Sequence, residues 1–187
     1  MEGYFYHGIE TYYGTYGHSI ELMLKILKEG IKTRKEVHNH FDDELNHVCL
    51  YKKENDFDYN DERYRFKSAR SSWIDNCFVF IISNEVEAVK ATNEETDILD
   101  EYRSVGSIPP SRIKGIALPM EAINEYLEEE TKDDEIINDQ EKLRNLLPII
   151  TDYALNNNLI IVDSCLPNFT DELDNSLINQ ENKKSTN

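Results

Sequence analysis

The sequence predicts an α+β domain in which helices flank a mixed or antiparallel β-sheet, and three observations lead to that prediction. Short apolar or alternating runs typical of strands are interleaved unevenly with segments of helical spacing. Long polar stretches separate them, unlike the regular alternation of a doubly wound parallel sheet. Because 187 residues usually form one domain, we expect residues 1–170 to be folded and residues 171–187 to be a disordered polar tail.

The clearest helical pattern follows a tyrosine-rich stretch near the N-terminus. Its apolar residues recur at i, i+3, i+4 and i+7, with Ser19 as the candidate N-cap and Gly30 as the left-handed C-terminal stop. The apolar positions are Ile20, Met23, Leu24 and Leu27. The preceding stretch places Tyr12, Tyr13 and Tyr16 around Gly14 and Gly17, which predicts an aromatic loop that could line a site.

Four later runs predict strands, namely residues 47–51, 77–82, 113–118 and 159–162. The run 77–82 is continuously apolar, as in a central strand that is covered on both faces. After it, Asn84 is expected to cap a short helix that continues to about Lys90.

The C-terminal half returns to helical spacing around Ile123 and Leu127, and again from Leu143 to Ile150. The intervening residues 128–141 are so acidic that they predict a solvated linker or fraying helix ends. Pro148 lacks a backbone N–H, and is therefore expected to kink its helix or to start a new one.

The chain has 37 acidic and 20 basic residues, a net charge of −17. A negative field of this size repels nucleic acid and anionic lipid and favours basic partners, although acidity can also serve solubility alone. The N-terminus lacks the pattern of a signal peptide, and no run approaches the roughly 18 apolar residues of a membrane span. Only three cysteines occur, at Cys49, Cys77 and Cys165, which suits a reducing compartment. We therefore expect a cytoplasmic protein without membrane contact.

Familiar enzyme motifs are missing from the sequence, among them the Walker loop, GxGxxG, CxxC and HExxH. Three features remain: Tyr6-His7-Gly8, a strand that ends at Tyr51, and Glu101 followed after six residues by Ile108-Pro109-Pro110. In this order they resemble the ADP-ribosyltransferase-like superfamily, over about residues 4–118. The step from helix to Gly30 and Ile31 is similar to that family too. The spacing from Glu101 to Ile108-Pro109 is similar to that of the DNA-modifying ADP-ribosyltransferase toxins.

The resemblance implies a split β-sheet and NAD as co-substrate. It implies that Glu101 is the catalytic carboxylate, which stabilises positive charge as nicotinamide leaves. His7 would hold the adenine-side ribose, Gly8 would let the backbone approach the nicotinamide amide, and Tyr51 would stack on the nicotinamide ring. Tyr16, in the tyrosine-rich stretch, is expected to line the same cofactor site.

The acceptor of ADP-ribose is expected to be a protein or a small molecule. The arginine-modifying branch of the family has Gln or Glu two residues before its catalytic Glu, and Leu99 stands there in this chain. The net charge disfavours a nucleic-acid acceptor, with one local exception in the basic residues Arg63, Arg65, Lys67 and Arg70. That cluster leaves open a relationship to the RNA 2'-phosphotransferases, which also use NAD. The Ser-Thr-Ser strand motif of the arginine-modifying branch is absent, although Ser71-Ser72-Trp73 could have a related supporting role.

Other interpretations of the same residues stay open. The chain could be a non-catalytic acidic binding protein, such as an immunity protein that recognises a basic partner. His7 and Tyr51 could serve strand packing alone, and Glu101 could be one solvated carboxylate among many. A set of possible metal ligands matches no strict template, so we predict no metal site; the set is His38, His40, Asp42, Asp43 and His47. Strand alternation would put His47 and Cys49 on the same face, but this alone does not convert the Cys49 thiol into a reactive thiolate.

Overall fold

A computed structural model describes residues 3–9, 11–38, 46–52, 78–92 and 101–164, with His38 described by its backbone only. Seven strands form one sheet in the order β4-β5-β2-β1-β3-β6-β7. Every neighbouring pair is antiparallel except the parallel pair β6 and β7. The strands are β1 (Phe5–Ile9), β2 (Cys49–Lys52), β3 (Phe78–Ile82), β4 (Ala88–Lys90), β5 (Glu101–Ser104), β6 (Ile113–Leu118) and β7 (Ile160–Asp163). This arrangement confirms the predicted α+β class with a mixed sheet.

Four α-helices accompany the sheet within the described ranges. They are α1 (Tyr16–Glu29), α2 (Arg34–His38), α3 (Met120–Glu128) and α4 (Asp134–Asn156), and a 3-10 turn spans Pro110–Arg112. None of these helices is long and apolar enough to cross a membrane. The helices α1 and α4 pack against each other and against one side of the sheet.

The two faces of the sheet bury different residues. We call the side covered by α1, α3 and α4 the helix face; its core is formed by apolar side chains of the strands and of these helices. The strand residues of that core include Phe5, Ile9, Leu50, Phe78, Phe80, Ile82, Ile116 and Leu118. We call the other side the far face, where a smaller cluster contains Tyr6, Tyr51, Val79, Ile81 and Ala117. Alternation along each strand assigns successive residues to opposite faces.

The strands β1 and β2 diverge after a short ladder. Only Phe5 and Tyr6 of β1 pair with β2, opposite Lys52 and Tyr51, whereas all five residues of β1 pair with β3. Along its other edge, β2 pairs with β5 from Cys49 to Tyr51. The ladder between β1 and β2 therefore ends before Gly8 and Cys49, and we call this end of the ladder the split.

All four strands predicted from the sequence are present, as β2, β3, β6 and β7. The segment Ile113–Leu118 is β6 as expected, and Phe78–Ile82 is β3 with all five residues buried. The helix predicted from Asn84 is wrong, since a turn there leads into β4, which pairs with β5. The Ser83 hydroxyl accepts a hydrogen bond from the Glu85 N–H, which favours the turn. Backbone pairing with β5 then stabilises residues 88–90 as a strand.

The first helix starts earlier than the sequence indicated. It begins at Tyr16, and Ser19 is not its cap but a buried residue whose hydroxyl lies 2.9 Å from that of Thr11. The Asp139 carboxylate on α4 accepts the N–H groups of Gly17 and His18 at 2.8 and 3.0 Å. A cap from a distant helix thus replaces the local one, and it adds a negative charge at the positive end of the helix dipole.

The acidic segment 128–141 contains the end of α3, a loop at residues 129–133 and the start of α4, so the predicted helix ends are present and the predicted linker is limited to that loop. Helix α4 begins at Asp134, after Asp133 accepts hydrogen bonds from the Glu135 and Ile136 N–H groups. Acidic residues in a first helical turn are favourable for the same dipole reason. The helix also continues through Pro148, so that residue does not start a new helix. Burial of Leu143, Ile150 and Ala154 on either side of Pro148 offsets the one backbone hydrogen bond that proline removes.

The end of α1 is joined to the loop after β5. Gly30 has a φ of +86°, and a Cβ atom there would lie 2.4 Å from the Ile108 carbonyl oxygen. Ile31 and Ile108 exchange backbone hydrogen bonds of 2.9 and 2.8 Å. Nearby, Thr33 and Glu36 form a reciprocal capping box at the start of α2. The two motif fragments read from the sequence, Gly-Ile and Ile-Pro, are therefore in direct contact.

Candidate functional site

A row of directly opposite residues crosses the far face of the sheet. Glu101 on β5 lies opposite Tyr51 on β2, Tyr51 lies opposite Tyr6 on β1, and Tyr6 lies opposite Ile81 on β3. Cβ atoms of directly opposite residues are about 5 Å apart, so these side chains are neighbours on one face. The row joins one carboxylate to two phenol rings, and the three residues are 3–5% exposed.

Glu101 is the sole carboxylate in the buried class among the residues that the structure describes. The expectation of a solvated carboxylate is therefore wrong at this position. An ionised carboxylate loses several kcal/mol on burial unless a charge or hydrogen bonds compensate. Arg103 supplies such compensation, because its Nε lies 3.5 Å from Glu101 Oε1.

Arg103 was not singled out from the sequence, although a local signal was present. It stands two residues after Glu101 on β5, so strand alternation puts both side chains on the far face. Its direct neighbours are Cys49 on β2 and Val89 on β4. The Cys49 thiol is partly exposed and lies at the split between β1 and β2.

His7 and Gly8 lie on the strand next to Tyr51, but on different faces. Gly8 is opposite Val79 and shares the far face with Tyr6, where the missing side chain leaves backbone at the surface of the sheet. The His7 ring stacks on Phe80 of the helix face, with ring centroids 6.4 Å apart. Its Nδ1 lies 2.9 Å from the Cys49 carbonyl oxygen, across the split. His7 thus links the two strands where their ladder ends.

Tyr16 lies in the core on the helix face, away from the row. Its ring packs against Phe78 and Tyr126, with centroid distances of 5.9 and 4.7 Å, and 4% of the residue is exposed. The structure therefore brings Tyr51, Glu101 and Gly8 together on one face. The side chains of His7 and Tyr16 face the opposite side of the sheet.

Tyr13, just before α1, and Tyr126 on α3 form hydrogen bonds to acidic residues. The Tyr13 hydroxyl donates to Glu129, and this hydrogen bond, with burial, raises the pKa of Tyr13 from 10.0 to about 12. Burial and the neighbouring Asp139 carboxylate raise the pKa of Tyr126 above its ordinary value. The Tyr126 hydroxyl donates to Asp139 at 3.1 Å. These contacts tie the aromatic stretch to α3 and α4, which gives it a structural role.

Several predicted features lie outside the described residues, so the structure gives no geometry for them. They are the histidine and aspartate set from His40 to Asp43, the basic cluster from Arg63 to Arg70, the segment Ser71-Ser72-Trp73, and Leu99. Within the described ranges, no group of three or more His, Cys, Asp or Glu side chains is placed to hold a metal ion.

The row on the far face has the elements needed to bind a flat heterocycle beside a fixed negative charge. A phenol ring can stack on such a ligand, and a buried carboxylate can stabilise positive charge that develops next to it. Comparison with known proteins found no family model and no curated protein that matches the chain. Function must therefore be inferred from these residues and their geometry.

Proposed function

We propose that this chain is an ADP-ribosyltransferase-like enzyme that binds NAD, releases nicotinamide and transfers ADP-ribose to a macromolecular acceptor. The observation that carries the proposal is the direct cross-strand pairing of Tyr51 with a buried Glu101. The sequence resemblance requires Tyr51 and Glu101 to lie in the same site, although 49 residues separate them in the chain. Gly8 on the same face and the adjacent split in the sheet add support.

In the proposed reaction, the bond between the ribose C1' and the nicotinamide nitrogen breaks. Its electron pair stays with nicotinamide, which leaves as a neutral base, while the ribose carbon acquires oxocarbenium character. Glu101 stabilises this developing positive charge, an effect worth several kcal/mol in a site that excludes water. A lone pair of the acceptor then forms the new bond to C1', and the acceptor's proton passes to solvent. No electrons are gained or lost overall.

Each residue on the far face has a separate role in this proposal. Tyr51 stacks on the nicotinamide ring, and Gly8 allows the carboxamide to approach the β1 backbone. His7 acts indirectly, because its bond to the Cys49 carbonyl holds β1 and β2 together beside the split. The predicted contact of His7 with the adenine-side ribose would need its ring to leave the stacked position on Phe80.

The macromolecular acceptor in this proposal is a protein rather than nucleic acid. Polyanions bind proteins largely by releasing counterions onto basic side chains, and the chain carries a net charge of −17. A protein acceptor with a basic surface would instead be attracted by the same field.

The decisive experiment measures nicotinamide release from NAD by the wild type and by Glu101→Gln. The substitution keeps the shape of the side chain but removes its charge, so we expect a rate loss of roughly 10²- to 10³-fold with little change in NAD affinity. Glu125→Gln, on the exposed surface of α3, is the matched control and should retain the wild-type rate. Equal rates for the wild type and Glu101→Gln would remove the catalytic assignment.

A second measurement tests binding separately from chemistry. NAD at about 100 times its dissociation constant should raise the free energy of unfolding by about 2.7 kcal/mol, and Tyr51→Leu should weaken that effect. Mass analysis of proteins incubated with the enzyme and NAD would identify the acceptor by the added ADP-ribose.

The alternative is a non-catalytic acidic binding protein, and one observation favours it. The surface around the loop between α3 and α4 exposes many carboxylates, which suits a basic partner. They are Glu125, Glu128, Glu129, Glu130, Asp133, Asp134 and Glu135. A melting temperature that does not respond to NAD, together with salt-sensitive binding of a basic protein, would favour this function over the enzyme.

A further inference from the structure

We infer that Arg103 is a positioning residue of the same site, and that it fixes the orientation of the Glu101 carboxylate for nicotinamide release. The inference rests on the proposed function and adds a residue for which the sequence motifs gave no role. The ion pair between Arg103 and Glu101 on the far face is the starting point.

Arg103 Nε lies 3.5 Å from Oε1 of Glu101, which is within salt-bridge distance and at the outer limit of a hydrogen bond. Arg103 is also opposite Cys49, so it stands at the split end of β5 relative to Glu101. Only 6% of the Glu101 side chain is exposed, against 27% for Arg103. The Glu101 side chain is therefore almost fully enclosed, whereas about a quarter of the Arg103 side chain is exposed to solvent.

The backbone around Arg103 restricts where its side chain can lie. Arg103 is in the middle of three paired strands, with Cys49 on one side and Val89 on the other. The following residue, Ser104, is fixed by its N–H bond to the Val48 carbonyl and by its hydroxyl, which accepts from the Val48 N–H. A side chain on such a rigid element can hold its partner with the precision that catalytic groups require.

Orientation, and not charge alone, is the expected contribution. A guanidinium beside Glu101 partly offsets the negative charge that the oxocarbenium-like state needs, so a purely electrostatic effect would not help the reaction. Alignment of the carboxylate with the ribose does help, since a displacement of about 1 Å can cost roughly 10²-fold in rate.

The test compares kcat and KM for nicotinamide release in the wild type, Arg103→Gln and Arg103→Lys. We expect Arg103→Gln to lower kcat by about 10- to 100-fold while KM for NAD stays within about twofold, because orientation matters in the transition state. Arg103→Lys keeps the cation, and therefore a compensated Glu101, but lacks the planar guanidinium. Its kcat should lie between those of the other two enzymes.

Arg112→Gln is the matched control, because it also removes an ion pair between arginine and glutamate. Arg112 directly precedes β6 and forms an ion pair with the exposed Glu85. In the sheet, β6 is four strand positions from β5. That distance is about 19 Å at the usual strand spacing, so the control should keep the wild-type kcat.

The outcomes separate the two proposals. A wild type that releases no nicotinamide from NAD would overturn the proposed function, and with it the role of Arg103. A wild-type kcat in Arg103→Gln, beside an inactive Glu101→Gln, would overturn the positioning role alone. So would a wild-type kcat in Arg103→Lys, because charge would then be sufficient. If Arg103→Gln does not fold, the kcat of Arg103→Lys still tests the positioning role, because that variant keeps a cation beside the buried Glu101.

Discussion

The helix face and the far face of the sheet are built from the same strands but differ in chemistry. On the helix face, Phe5, Leu50 and Phe80 pack against apolar residues of the helices, and the main core of the domain lies there. On the far face, the row of opposite residues carries the Glu101 carboxylate and two phenol groups, and the Arg103 guanidinium lies beside it. Most of the folding energy should come from the first face, and binding specificity from the second.

This difference shows how a strand can serve both purposes at once. On β5, Glu101 and Arg103 point to the far face, while Tyr102 points to the helix face and packs edge-on against Phe5. The residues that hold the strand in place are thus interleaved with the residues proposed to act in chemistry. A rigid sheet fixes the chemical groups because the opposite face is tightly packed.

The largest effect on stability should come from removing a ring on the helix face. Phe78 is fully buried, and Phe78→Ala should lower the free energy of unfolding by about 3–5 kcal/mol through lost burial and the cavity left behind. Urea denaturation measures this cost, and NAD affinity of the folded fraction should be unchanged. If NAD affinity fell as steeply as the free energy of unfolding, the assignment of stability to the helix face and of binding to the far face would be wrong.

A smaller effect should follow from changing the junction between α1 and the loop after β5. Gly30→Ala introduces a side chain at a positive φ and against the Ile108 carbonyl, so it should cost about 1–3 kcal/mol. Gly106→Ala is the matched control, because its φ of +76° is similar but no atom lies within 4 Å of its added Cβ. Thermal denaturation of both variants separates backbone strain from the clash. Equal costs would mean that the contact with Ile108 is unimportant.

The smallest effect concerns pH and lies on the helix side of the molecule. The pKa of Tyr13 is raised from 10.0 to about 12, because its hydroxyl donates to Glu129 in the folded protein. The neutral phenol is thus favoured by folding, and its contribution is complete below pH 10 and is lost as the pH rises through about 12. Between pH 10 and about pH 12, the melting temperature of Tyr13→Phe should therefore fall less steeply than that of the wild type. Tyr12→Phe, in the same stretch, should keep the wild-type dependence, and an unchanged profile for Tyr13→Phe would contradict the assignment.

Sequence reasoning succeeded where local pattern and tertiary structure agree. The segment Ile113–Leu118 was identified because an apolar strand between two strands needs no information beyond its own residues. The segment after Asn84 was misassigned because its propensity is weak and pairing with β5 decides it. Tyr16 was misplaced for a similar reason, since the cap that starts α1 comes from Asp139 on α4.

The candidate site was predictable in part. Glu101 and Tyr51 were identified from motif order, and their adjacency could not be derived, because it depends on the register between β2 and β5. The face on which His7 lies depends in the same way on the register with β3. Arg103 could have been found, since a residue two positions from Glu101 on a strand shares its face.

The sequence by itself determined the apolar periodicity and the net charge. These properties are local or additive, so they can be read without knowing which strands meet. Only the tertiary structure decided that β1 and β2 diverge beside Gly8, that Tyr51 lies between Tyr6 and Glu101, and that Gly30 packs on Ile108. Those features arise from contacts between segments far apart in the chain, and their energies depend on geometry that no single segment specifies.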